Sequence, residues 1–77
     1  MATKPTALHV GLEVRANMAR NQVTQSALAH ALDLSQAAVY RRLTGQVPFN
    51  VEELATVADH LGVTVVELLA EPKSVAA

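Results

Sequence analysis

Cysteine is absent from the chain, which excludes a disulfide framework and a thiolate metal site. Tryptophan is absent as well, and one Phe and one Tyr supply all the aromatic surface. No apolar run approaches the ~20 residues that a membrane-spanning helix needs, and the N-terminal residues carry no long apolar segment. A cytoplasmic protein with no membrane partner is the expectation. The three histidines, His9, His30 and His60, share no ligand spacing, so no metal is expected. Ser26, Ser35 and Ser74 lie in no nucleophile-elbow motif, the acids are scattered, and neither a P-loop nor a GxGxxG is present. Nothing here reads as an enzyme, and no cofactor or small-molecule ligand is indicated.

What is present is a palette of small and aliphatic residues: 51% of the 77 residues are hydrophobic, mostly Ala, Leu and Val. A chain of this size makes one domain with a modest core, and small side chains let helices approach closely. The net charge of −1 argues against nucleic acid, because phosphate contacts want cations. Its distribution argues the other way. Lys4, Arg15, Arg20, Arg41 and Arg42 against Glu13 and Asp33 put residues 1–45 at +3; Lys73 against Glu52, Glu53, Asp59, Glu67 and Glu71 puts residues 46–77 at −4. One face for an anion and another for solvent or a partner is the implication.

Periodicity and capping residues predict five helices. Residues 1–5 precede the apolar pattern and are expected to form a flexible arm. Thr6 caps a first helix ending near Asn21, with Val10, Val14 and Met18 as the inward stripe and Gly11 admitting a close neighbour. Leu8 and Leu12 form a second row, from which burial on a wide face is expected. Thr24 caps a helix over Gln25 to Leu32, preceded by Val23 as a hydrophobic staple. Asp33-Leu34-Ser35 breaks the run: Asp33 tolerates a left-handed backbone, Leu34 plugs the angle, and Ser35 caps a helix from Gln36 to Thr44 stopped by Gly45. After the non-helical QVPF segment, Asn50 and Glu53 form a capping box for a helix from Val51 to Leu61. Gly62 ends it, Thr64 and Glu67 open a fifth helix, and Pro72 forbids continuation. The domain is thus placed at 6–71, with 72–77 a flexible tail.

The stretch TQSALAHALDLSQAAVY resembles the helix-turn-helix of the phage repressor and Cro family. Thr24-Gln25 opens the first helix, Leu28-Ala29 follows one turn in, Asp33 stands at the turn where the family has glycine, and Ser35 and Val39 match. A second departure is Arg42-Leu43, where many members have an apolar residue followed by an acid; Leu43 keeps the buried stripe and Arg42 moves to the flank. GQVPFNVEELATVADHLGVTVVELL resembles the family's last two helices, so the likeness spans Leu8 to Ala70. It implies an all-α, compact five-helix bundle of the lambda-repressor-like type. It also implies a DNA-binding transcriptional regulator, in the simplest case a repressor, of phage or prophage origin or a small bacterial regulator.

With Val39 and Leu43 inward, Gln36, Ala37, Tyr40 and Arg41 are the candidate base contacts. Gln36 suits adenine N6 and N7, the Ala37 methyl suits a thymine methyl, and Arg41 forks onto guanine or phosphate. The resemblance gives Gln25 a phosphate contact and a bracing role toward Gln36. Thr24, Arg42, Thr44 and Asn50 are further backbone candidates, by charge or as donors near helix ends. Structural alternatives stay open: Tyr40 packing on the loop at Pro48, and Arg41 and Arg42 as solvated charges on a helix C-terminal turn. A core this small cannot hide Val65, Val66, Leu68 and Leu69 together. A homodimer through the last helix sets recognition helices about 34 Å apart, reading a pseudo-palindromic operator. The rival is a protein-interaction module on the same fold, antitoxin-like or an anti-repressor partner, working through the acidic second half.

Overall fold

Each helix begins where a short polar side chain caps the first free backbone N–H groups. In the computed structural model, which describes residues 6–70, the helices are α1 (Ala7–Asn21), α2 (Gln25–Leu32), α3 (Gln36–Leu43), α4 (Val51–Leu61) and α5 (Val65–Leu69). The caps are Thr6, Thr24, Ser35, Asn50 and Thr64, whose side-chain oxygens accept from the amides of His9, Ala27, Ala38, Glu53 and Glu67. Two are full capping boxes: Glu53 returns a carboxylate to the Asn50 amide, and Glu67 to that of Thr64. Such a cap contributes about 1 kcal/mol. The expected arm at 1–5 and tail at 72–77 lie outside the described residues.

Four of the helices end by one device. Gln22, Asp33 and Gly62 take left-handed backbone at φ 56°, 56° and 73°. The next amide in each case, that of Val23, Leu34 or Val63, donates back to the carbonyl of Met18, Ala29 or Ala58. This places Val23, Leu34 and Val63 against the core, so each turn both stops a helix and inserts an apolar plug. The fourth, α3, ends at Leu43, one residue short of the expected helix, because Gly45 at φ 83° makes the same turn, the Gln46 amide donating to the Arg41 carbonyl. α5 is briefer still, closing at Leu69.

The core is built from Val10, Val14 and Met18 of α1, Leu28 and Ala29 of α2, Val39 and Leu43 of α3, Leu54, Val57, Ala58 and Leu61 of α4, and Leu68 of α5. Phe49, in the loop before α4, joins it. α1 is the spine, packing on α3, α4 and α5, while α2 lies between α3 and α4. Gly11 is buried where α1 meets the end of α3: a Cβ there would fall on the Leu43 carbonyl oxygen. The expected wide burial of α1 does not occur, for Leu8 and Leu12 are about half exposed (50% and 49%). The helix instead buries Asn17, whose amide donates to the Glu13 carbonyl one turn back and so needs no partner from elsewhere. Among the described residues no helix is long and apolar enough to cross a membrane.

Candidate nucleic-acid interface

α2 and α3 meet across Asp33, Leu34 and Ser35, and the pairing decides which side of α3 is free. Val39 and Leu43 are fully enclosed at 0% and 1% exposure and fix the helix to the core. Gln36, Ala37, Tyr40 and Arg41, spaced i, i+1, i+4 and i+5, are all exposed. Tyr40 is 51% exposed. The four expected base-contact residues thus share one open edge of an eight-residue helix, with amide, methyl, phenol and guanidinium chemistry at successive steps.

The flanking candidates divide. The Thr24 hydroxyl accepts from the Ala27 amide, which leaves its own proton for an outside acceptor. Gln25 is half-buried in the first turn of α2. Asn50 spends its side-chain oxygen on the Glu53 amide at 2.7 Å, and its NH2 has no partner among the described residues. Thr44 differs from expectation as a donor: its hydroxyl donates to the Tyr40 carbonyl at 3.0 Å and accepts from Gln46 Nε2 at 2.9 Å. Its single proton is therefore turned into its own helix.

Arg42 is the larger correction. Expected on the flank with its charge open to phosphate, it is drawn into an ion pair with Glu53, Nε to Oε1 at 3.0 Å, with side chains only 16% and 15% exposed. Its Nη1 also donates to the Ala38 carbonyl at 3.1 Å. Burial pushes the Glu53 carboxyl up, but the Arg42 hydrogen bond, the Asn50 amide and the Arg42 charge together hold it below its ordinary value. Among the described residues Arg41 has no ion-pair partner, so it is the cation that the open edge of α3 presents. Gln46, not singled out in the sequence, stands beside it: its amide donates to the Arg41 carbonyl at 2.8 Å and its side chain reaches Thr44. A residue after the helix-stopping glycine gives no periodic signal.

Among the described residues no group of three or more His, Cys, Asp or Glu is placed to hold a metal ion. The sequence pattern of the BetR domain family matches residues 10–76. No curated protein matches the chain by sequence. Among solved structures, the clp gene regulator ClgR from C. glutamicum is similar at 28% identity and TM-score 0.76, covering 82% of each chain. A hypothetical transcription factor, NHTF from Neisseria, superposes with TM-score 0.79 at 19% identity over 95% of this chain and 88% of that one. The P22 c2 repressor, solved with a synthetic operator, shares the fold at TM-score 0.70 and 23% identity, over 78% of this chain and 91% of its own. The all-α fold of the lambda-repressor-like type expected from the helix-turn-helix is therefore the fold observed.

Proposed function

The chain belongs to the BetR domain family, and from that premise we propose that it is a sequence-specific regulator of transcription that binds double-stranded DNA with α3 in the major groove, acting as a repressor by occluding a promoter. One observation carries the reading: α3 buries only its apolar side and leaves Gln36, Ala37, Tyr40 and Arg41 outward on a rigid support. Those four meet base edges, while Thr24, Gln25 and the Asn50 amide flank them as phosphate contacts and Thr44 contributes a hydroxyl oxygen reachable through water. The likeness to a gene regulator and to a repressor solved with its operator supports this assignment.

Among the described residues nothing covers the apolar edge that Val66, at 75% exposure, and Leu69, at 37%, form on α5. We assign it to a homodimer, with recognition helices about 34 Å apart on a pseudo-palindromic operator.

Selection from a random duplex pool, followed by titration of the enriched sequence at several salt concentrations, tests the reading. Gln36→Ala and Arg41→Ala are each expected to cost about 1–3 kcal/mol and to relax preference at one base position. Arg41→Ala should also reduce the salt slope by about 0.9 if the residue lies on phosphate. A pool that enriches nothing at low salt overturns the assignment in favour of a protein-interaction module working through the exposed acids Glu52, Asp59 and Glu67.

A further inference from the structure

α3 packs on α1 and α2 but has no direct backbone neighbour in α4, although the Asn50 end of α4 flanks the proposed interface. One side-chain chain of hydrogen bonds crosses that gap. Arg42 Nε donates to Glu53 Oε1, and the same oxygen accepts the Asn50 amide at 3.0 Å. Asn50 Oδ1 accepts the Glu53 amide in return, and Arg42 Nη1 ties back to the Ala38 carbonyl within α3. The guanidinium therefore grips α3 through its own backbone at one end and the cap of α4 at the other. A planar fork can hold both ends at fixed angles, which an ammonium cannot. Both charges are largely shielded, so the link is neither screened by salt as a surface pair is nor easily surrendered to a phosphate.

Resting on the DNA-binding reading above, we propose that Arg42 is a positioning residue: its link to Glu53 sets the C-terminal half of α3 against the start of α4, so that Tyr40, Arg41 and the side-chain NH2 of Asn50 meet the duplex in one register. Arg42 itself stays off the DNA. It acts through the residues beside it, and its side chain contributes no counterion release.

The salt dependence of operator binding separates this role from that of an ordinary phosphate clamp, measured on the full chain at a temperature where circular dichroism shows every variant folded. Arg42→Met is expected to raise Kd by roughly tenfold at every salt concentration while leaving the slope of log Kd against log salt unchanged. Arg42→Lys, which keeps the charge but loses the fork, should fail to restore affinity. Glu53→Gln keeps an amide oxygen for both the Asn50 N–H and Arg42 Nε and loses only the charge, so it should weaken binding less than Arg42→Met, and the double variant should be no worse than Arg42→Met alone. A slope reduced by about 0.9 in Arg42→Met, restored by Lys, places the guanidinium on a phosphate and overturns the proposal. Unchanged affinity in Arg42→Met overturns it too. A wild-type chain that binds no duplex even at low salt strikes the DNA-binding reading itself, and the positioning role falls with it.

Discussion

A methyl group at Gly11 would sit 2.8 Å from the carbonyl carbon of Leu43 and 2.9 Å from the carbonyl oxygen of Arg42. Replacing a helical glycine by alanine ordinarily stabilises by roughly 1 kcal/mol. Here the sign reverses, because α1 must retreat from the backbone of α3 and open the core between them. Gly11→Ala is expected to cost on the order of 3 kcal/mol in urea unfolding. Asp33 presents the opposite case. Its left-handed backbone at φ 56° is strained for any side chain, and relief of that strain outweighs the entropy that glycine adds to the unfolded chain. Asp33→Gly should stabilise by about 0.5–1 kcal/mol, seen as a Tm raised by a few degrees. Both positions were readable in the sequence, Gly11 as a close approach and Asp33 as a substitute for the turn glycine. Arg42 was not: its partner lies on another helix, eleven residues on, and helical spacing reveals only neighbours three or four positions away.

At the scale of the elements, legibility follows the caps. Thr6, Thr24, Ser35, Asn50 and Thr64 each start a helix at the residue expected, because a side-chain oxygen three residues before a free amide is a local signal that needs no tertiary partner. Ends are less legible where geometry decides. α3 gives up Thr44 to the Gly45 turn, and Gln22, an unremarkable linker residue in the sequence, adopts the left-handed stop of α1. Periodicity also misassigned Leu8 and Leu12, since the pattern marks an apolar row without saying whether a neighbour exists to cover it, and it passed over Phe49, which stands in no helix. The eight-residue α3 leans on its cap, having few internal hydrogen bonds to spare. Ser35→Ala should cost about 1 kcal/mol in thermal unfolding and speed amide exchange at Ala37 and Ala38 before any other helix is affected.

Across the whole molecule, acid is the expected lever. The Glu53 carboxyl, pushed up by burial, is held low overall by Arg42 and the Asn50 amide; that of Glu67 is held low by the Thr64 amide and hydroxyl. A carboxyl whose folded value lies below its unfolded one stabilises the fold at neutral pH, and that contribution is lost as pH falls below about 4 toward the folded values. Stability by urea unfolding should therefore be flat near neutrality and decline on acidification, with Glu53→Gln showing a shallower decline than wild type. The helical bundle, its order and its core were legible from the chain, and so was the exposed edge of α3; the hydrogen-bonded brace between Arg42 and Glu53 emerged only from the folded arrangement.

The division of labour along α3 carries one more consequence. Val39 and Leu43 anchor it, and Gln36, Ala37, Tyr40 and Arg41 contribute no side chain to the interior. The lettering on that edge can be rewritten while the binding of the book stays intact, so a library randomised at the four positions should yield folded proteins throughout and offer new target sequences at little expense in stability.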